Sequence, residues 1–265
     1  MSVIAACCGD IIGSRFEGIN NVTQPNFRLF TKLSRFTDDT VLTVATADAI
    51  MKGVRYSDAY RAYYQLYPHA GYGGMFKSWA RSKSKRGYNS FGNGSAMRVS
   101  PIAYAYNKLP TVLKEAEKSS MVTHNHEDAV RGAKAVAATI FLARHGIDKT
   151  IIKDAVEKLS GYSFGNMLNS QHYGFDVSAS GSVPHAINIF LTHNGFENIV
   201  RQAVLLGGDS DTIASIAGAI AGAYYGVPKS IEKETLEVLD ALMRIKVDKF
   251  TSRFVSNNTK IESGE

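Results

Sequence analysis

Two short acidic stretches, far apart in the chain, carry its densest chemical potential: Phe36-Thr37-Asp38-Asp39-Thr40 and Gly207-Gly208-Asp209-Ser210-Asp211-Thr212. Each precedes a helical stripe of apolar residues, with Val41, Leu42, Val44, Ala45, Ala49 and Ile50 after the first and Ile213, Ala214, Ile216, Ala217 and Ile220 after the second. The carboxylates are therefore expected at helix N-termini. Asp and Thr act there as ordinary caps that accept backbone N–H bonds and complement the helix dipole, and either motif alone reads that way. A cap needs one side-chain oxygen, whereas each motif offers two carboxylates flanked by hydroxyls. If folding joins the two helix starts, four carboxylates repel one another unless cations neutralise them, and hard divalent ions take oxygen ligands. Two Mg2+ or Mn2+ ions would balance that charge and could polarise a substrate oxygen or lower the pKa of a water. The candidate ligands are Asp38, Asp39, Asp209 and Asp211, with the hydroxyls of Thr37 and Thr212 beside them. Cys7 and Cys8 are adjacent in an apolar segment and do not make a zinc site.

The elements that position these residues read as helices throughout. Helical periods alternate with short Gly, Asn and Ser segments, and no stretch offers a convincing series of alternating strands. Helices are expected over the N-terminal apolar segment, then Thr37–Lys52, Ser57–Tyr67, Met75–Lys83, Met97–Tyr106, Thr111–Met121 and His126–Arg144. Further helices are expected over Lys149–Leu159, Val183–Thr192, Glu197–Leu206, Asp211–Tyr225 and Lys229–Arg244. Pro110 and Pro228 suit first-turn positions. Gly218 and Gly222, four apart, give one helix a narrow face for close packing. With 265 residues and 45% hydrophobic content, the chain can bury a substantial core as one domain. That domain is expected over 1–255, followed by a polar, disordered tail over 256–265.

Six segments, in order, carry a resemblance: Gly9-Asp10-Ile11-Ile12-Gly13-Ser14-Arg15-Phe16-Glu17, Phe36 to Thr40, Phe91-Gly92-Asn93-Gly94-Ser95-Ala96-Met97-Arg98, Thr123-His124, Ser182-Val183-Pro184, and Gly207 to Thr212. Across nearly its whole length the chain resembles the ADP-ribosyl hydrolase family, which includes the hydrolase that reactivates ADP-ribosylated dinitrogenase reductase and the ADP-ribosylarginine and ADP-ribosylserine hydrolases. Ser210 stands where many members have threonine and keeps the hydroxyl. The resemblance implies an all-α, compact, single-domain orthogonal helical bundle with a binuclear metal centre in a central cleft. It implies hydrolysis of the C1″ glycosidic bond of an ADP-ribosylated serine or arginine, or of a related conjugate, releasing ADP-ribose.

Residue roles follow from the same resemblance. Glu17 ends the Gly-Asp-x-x-Gly motif and resembles the mobile catalytic glutamate of the serine-specific branch; without the resemblance it reads as an exposed carboxylate at a helix end. Asp38 and Asp39 join it as catalytic candidates. Gly71, Gly73 and Ser90 would contact the diphosphate, and Phe91 and Val177 would pack near the adenosine. Gly92 and Asn93 belong to the same binding segment, and His124 is expected beside bound ADP-ribose. His126 is expected to cap a helix or lie at the surface. The bond attacked stays open between an N-glycosidic arginine and an O-glycosidic serine linkage, with a lean towards serine. Two other readings stay open as well: a phosphatase acting on an ADP-ribose phosphate, and a catalytically silent binder or structural relative.

The net charge of +6 is spread along the chain, and its densest run, Lys77 to Arg86, reads as a solvated helix face. No nucleic-acid motif accompanies it, so a nucleic-acid partner is not expected, although a basic rim could steer an anionic substrate. No apolar stretch reaches the length of a membrane span, and the N-terminus lacks the basic leader of a signal peptide. With adjacent, reduced cysteines the expectation is a cytoplasmic monomer whose partner is an ADP-ribosylated protein or ADP-ribose conjugate.

Overall fold

The computed structural model describes residues 2–19, 24–165 and 172–255. In chain order its helices are α1 (Ser2–Gly13), α2 (Asp38–Lys52), α3 (Tyr56–Leu66), α4 (Gly74–Arg81), α5 (Ser100–Ala105), α6 (Leu109–Met121), α7 (Glu127–Arg144), α8 (Lys149–Ser160), α9 (Ala179–Thr192), α10 (Phe196–Leu206), α11 (Ser210–Tyr225), α12 (Lys229–Val238) and α13 (Ala241–Phe254), with a 3-10 turn at Asn93–Ser95 before α5. Among the described residues there is no β-strand, only an antiparallel bridge between Gly92 and Ser178. The all-α expectation holds. The tail expected over 256–265 lies outside the described residues.

Small residues decide the centre of the molecule. A Cβ on Gly9 would lie 2.0 Å from the Ala214 carbonyl oxygen, and one on Gly13 would lie 2.6 Å from the Asp211 Cα. From the other side, a Cβ on Gly222 would lie 2.3 Å from that of Ala5. Helices α1 and α11 thus pack backbone to backbone along Ala5, Gly9, Gly13 and Gly222, as the glycine spacing of α11 led us to expect. Residues Ser210 to Gly222 are buried without interruption, so this part of α11 is enclosed on every side, with α1, α7, α9 and α10 around it. The C-terminal end of α1 meets the N-terminal end of α11 at Gly13 and Asp211, and both acidic motifs converge there.

Several boundaries differ from expectation, among them the start of α9, at Ala179 rather than Val183, and the end of α13, at Phe254 rather than Arg244. The segment Lys229–Arg244 forms two helices because Asp240 starts the second, its Oδ1 accepting the Met243 N–H at 2.9 Å, after the chain turns at Leu239. The helix expected from Met97 begins at Ser100, after the 3-10 turn. The basic run does not form one helix face, since α4 ends at Arg81 and Lys83, Lys85 and Arg86 sit on an irregular segment. No helix among the described residues is long and apolar enough to cross a membrane.

Candidate active site

The site is built from α1 outward. Asp10 is fully buried and accepts three hydrogen bonds from the start of α2: Thr37 N–H at 2.9 Å, Thr37 Oγ1–H at 2.7 Å and Thr40 N–H at 3.1 Å. Thr37 is the N-cap, its hydroxyl accepting the Asp39 N–H at 3.3 Å. Capping is therefore done by Thr37 and Asp10, and the carboxylates of Asp38 and Asp39 are left to line the cleft. Asp39 Oδ2 accepts from the Thr212 hydroxyl at 3.2 Å, which ties α2 to α11. Asp209, the N-cap residue of α11, makes no side-chain cap bond, and its Oδ2 accepts from Asn93 Nδ2 at 2.6 Å. The same amide nitrogen donates to Ser182 Oγ at 2.9 Å, so the amide of Asn93, expected at substrate, is turned to the carboxylates and α9.

Glu17 joins this group. Gly18 adopts a positive φ of 73° and donates its N–H to the Gly208 carbonyl at 2.9 Å, holding the turn after α1 against the second acidic motif. One carboxylate oxygen each from Glu17, Asp209 and Asp211 then lies within 4.8 Å of the others. Glu17 is exposed at the mouth, whereas Asp209 and Asp211 are buried. The sequence reading grouped Asp38 and Asp39 with Asp209 and Asp211 and kept Glu17 apart for proton transfer; the tightest trio includes Glu17 in place of the first pair.

The electrostatics follow from burial and crowding. Asp38 is pushed up to about 8, first by burial and next by the charge of Asp10. Asp39 and Asp211 are held well above the carboxylate range by burial, then by repulsion from Asp211 and Asp209 respectively. Burial also raises Asp209, against the opposing bonds it accepts, and lifts Asp10 to about 6. Glu17 is raised by burial and by Asp209, with Arg35 pulling the other way. Asp39 Oδ1 and Asp211 Oδ1 are buried without a hydrogen-bond partner among the described residues. Hard oxygen donors, mutual repulsion and orphaned oxygens together fit a divalent cation, so the cleft contains a carboxylate cluster able to hold a metal ion.

The cleft has a volume of about 360 Å³ and continues from the carboxylates along two loops. Gly71 (φ 107°) lies against Asp38, a Cβ there falling 3.2 Å from its Oδ1, and Gly73, Ser90, Gly92 and Val177 complete the wall. The Gly92 N–H is taken by Ser90 Oγ at 3.1 Å. Asn93 N–H donates to the Val177 carbonyl and Ala179 N–H to that of Phe91, both at 2.9 Å, which brings Val177 beside Phe91. Phe91 itself is 57% exposed, edge-on to His126, and is not among the residues that line the cleft. His126 caps α7, its Nδ1 accepting the Asp128 N–H at 3.2 Å.

His124 is a buried wall residue. Arg98 Nη2 donates to Thr123 Oγ1 at 2.7 Å, and the same hydroxyl lies 2.8 Å from His124 Nδ1. Burial, then the Arg98 charge, holds His124 well below the usual histidine range, which favours the neutral ring. Its Nε2 lies beside Gly94, where a Cβ would fall 2.8 Å from that nitrogen. Asp10, Thr123 and Arg98 were quoted in motifs without a role, because only the fold shows what they touch.

A sequence model of the family described as ADP-ribosylglycohydrolase matches residues 1–260. The chain is 30% identical over 278 residues to ADP-ribosylhydrolase ARH3 of Mus musculus, covering 78% of this chain and 75% of that one. It is 27% identical over 301 residues to ADP-ribosylhydrolase ARH3 of Xenopus tropicalis, covering 85% and 86%. A solved structure titled ADP-ribosylglycohydrolase-related protein complex shares the fold, with a TM-score of 0.68, 23% identity, and coverage of 92% of this chain and 96% of that one. The chain belongs to the ADP-ribosylglycohydrolase family, hydrolases of the glycosidic bond to ADP-ribose.

Proposed function

We propose that this protein releases ADP-ribose from a serine side chain by hydrolysing the C1″ O-glycosidic bond with two divalent cations, Mg2+ or Mn2+, held by Asp38, Asp39, Asp209 and Asp211 with Thr37 and Thr212. Such ions supply positive charge that neutralises the carboxylates and polarises a substrate oxygen. The glycine turn at Gly71 and Gly73 and the Ser90 segment receive the diphosphate, and Phe91 and Val177 pack on the adenosine. The Nε2–H of His124 donates to an acceptor of bound ADP-ribose.

Glu17 moves the proton. In the reaction a water oxygen bonds to C1″, the bond from C1″ to the serine oxygen breaks, the serine oxygen takes up a proton and the water gives one up. Partial burial of its carboxyl raises Glu17 above its ordinary value, which suits a group that both gives and takes a proton. The observation that carries this reading is the position of Glu17 at the exposed mouth, one carboxylate oxygen within 4.8 Å of Asp209 and Asp211. Serine is favoured over arginine because Glu17 and the Ser90-Phe91-Gly92-Asn93 segment match the serine-specific pattern.

The test is release of ADP-ribose, identified by mass spectrometry, from matched serine-linked and arginine-linked peptides with Mg2+, with Mn2+ and with chelator. Metal-dependent release from the serine peptide is the expected result. Release only from the arginine peptide reassigns the linkage, and release of inorganic phosphate without ADP-ribose rejects glycohydrolysis.

A further inference from the structure

The irregular basic segment after α4 has a role in the structure that neither the fold nor the cleft requires. The cleft wall formed by Gly74, Met75 and Tyr88 is also one wall of a second cavity, which runs over Trp79 to Ser82, Ser84 and Arg86. Ser82 and Ser84 in turn border a third cavity of about 680 Å³, closed by the start of α3 and the end of α6. The three cavities thus share walls in sequence, a segmented trench from the acidic cleft to a basic basin. The basin is lined by Arg55, Arg61, Lys83, Lys85 and Lys118 against one carboxylate, Asp58.

Most of these cations already have partners. Arg55 pairs with Asp58, Lys118 pairs with Glu115, and Arg61 lies 3.9 Å over the Trp79 ring while donating to the carbonyl of Ser84. Lys83, Lys85 and Arg86 are exposed and have no carboxylate within ion-pair distance among the described residues. Three uncompensated cations on one loop, Arg86 on the cavity that adjoins the cleft and Lys83 and Lys85 on the basin beyond it, attract anionic groups. Trp79 is 4% exposed beneath Arg61, so its ring is closed to base stacking. The hydroxyls of Ser82 and Ser84 are spent on the carbonyls of Trp79 and Arg86. With Trp79 closed and Tyr56 and Tyr88 half-buried in the walls, the trench presents mainly positive charge, which suits peptide carboxylates.

We infer that this trench docks an acidic segment flanking the modified residue of a protein substrate, with Lys83, Lys85 and Arg86 setting a preference for Asp and Glu beside the ADP-ribosylated side chain. The inference rests on the reading that the protein acts on ADP-ribosylated side chains, and it makes those three residues determinants of substrate choice that take no part in catalysis.

The experiment compares ADP-ribosylated peptides whose flanking residues are Glu with matched peptides carrying Gln, using the wild type and the triple variant Lys83→Ser, Lys85→Ser, Arg86→Ser. The wild type should favour the acidic peptide by about tenfold in kcat/KM at low salt, through KM, and the preference should collapse as ionic strength rises. In the triple variant the preference should disappear while kcat stays within about twofold and release from a lone ADP-ribosylated amino acid is unchanged. Equal use of both peptides by the wild type overturns the inference, as does a preference that survives in the triple variant. Anisotropy of a fluorescein-labelled, unmodified Glu-rich peptide separates the two levels of argument. If no peptide releases ADP-ribose but this binding depends on the three cations, the hydrolytic reading fails and the docking stands. An oligonucleotide of equal charge that displaces the peptide more effectively than unlabelled peptide overturns the assignment in favour of a phosphodiester chain.

Discussion

Thr212 Oγ1 donates to Asp39 Oδ2 at 3.2 Å, closing a contact between residues 173 apart in sequence and joining the two acidic motifs across α1. Asp39 Oδ1, by contrast, is buried without a hydrogen-bond partner among the described residues. Asp39 thus has one oxygen committed to the fold and one without a partner. Asp39→Asn replaces a carboxyl that burial and repulsion already drive towards its neutral form, so in chelator its melting temperature should equal or exceed that of the wild type. Saturating Mg2+ or Mn2+ should raise the wild type by about 5 °C, from about 2.7 kcal/mol of ligand stabilisation at a hundredfold excess over Kd, and should leave Asp39→Asn unmoved. Thermal scans with and without metal decide the point; an equal response in both proteins would remove Asp39 from the ligand set.

Stability should also depend on pH in an unusual direction when metal is withheld. Asp38 rises from an ordinary 3.8 to about 8 in the folded protein, and Asp10 rises to about 6. A raised folded-state pKa means that the folded protein binds the proton more tightly than the unfolded chain, so this stabilisation is complete below about pH 4 and is lost as pH climbs through the folded values. In chelator the melting temperature should therefore fall between pH 5 and about pH 8. Added divalent metal opposes the fall, because it binds the deprotonated carboxylates. Parallel pH series with and without Mg2+ should diverge as pH increases; parallel curves would show that the cluster is not a cation site.

Glu17→Gln retains the size and polarity of the side chain and removes its proton chemistry. Turnover of the serine-linked peptide should drop by roughly 10²- to 10⁴-fold, the usual worth of a general acid or base. ADP-ribose affinity, measured by calorimetry in the presence of metal, should stay within about threefold of wild type. Because Glu17 also lies within reach of Asp209 and Asp211, the metal titration must be repeated on the variant. Lost binding with normal turnover per bound substrate would contradict the assignment.

Two glycines separate packing from ligand contact. A Cβ on Gly9 would sit 2.0 Å from the Ala214 carbonyl oxygen, a backbone atom of the central helix, so Gly9→Ala should destabilise by about 3 kcal/mol or prevent folding. Gly73 has φ −61° and open space around its Cβ position, so Gly73→Ala should melt like the wild type. If the Gly73 backbone approaches the diphosphate, the added methyl should still weaken ADP-ribose binding by about tenfold, or 1.4 kcal/mol. Denaturant titration and calorimetry together check both halves of the contrast.

The helical character of the chain and the surplus carboxylate at two helix starts were legible in the sequence because they are local, carried by the apolar periodicity after Asp39 and Asp211, whereas the meeting of the two starts entered the reading only as a condition, since Asp39 and Thr212 are 173 residues apart. The break at Leu239 was not legible, since Asp240 becomes a cap only when the chain turns there. Asn93 was read as a substrate-binding residue and it lines the cleft, but the bonds of its amide to Asp209 and Ser182, partners 116 and 89 residues away, were not legible. Asp10 was invisible as a positioning residue for the same reason. Its three donors come from Thr37 and Thr40, and nothing near Asp10 in sequence announces them. Contacts of that range depend on how α1 crosses α2 and α11, which depends in turn on small-residue packing rather than on any motif.

The chain Arg98–Thr123–His124 gives the last prediction, because the donation proposed for His124 Nε2 requires one tautomer. In that form the Thr123 hydroxyl accepts from Arg98 Nη2 and gives its own hydrogen to His124 Nδ1. Thr123→Val keeps the shape and removes the hydroxyl, leaving Nδ1 without its donor and Arg98 Nη2 with only the Ser119 carbonyl at 3.0 Å. Long-range proton–nitrogen spectra should show the neutral Nε2–H form in the wild type, because burial disfavours the cation. In the variant a share of the Nδ1–H form should appear. KM for the ADP-ribosylated peptide should then rise by about fivefold to tenfold with little change in kcat, as expected for the loss of a hydrogen bond made equally in the bound and transition states. A single unchanged tautomer in the variant would show that the surrounding glycine loop, and not Thr123, orients the imidazole.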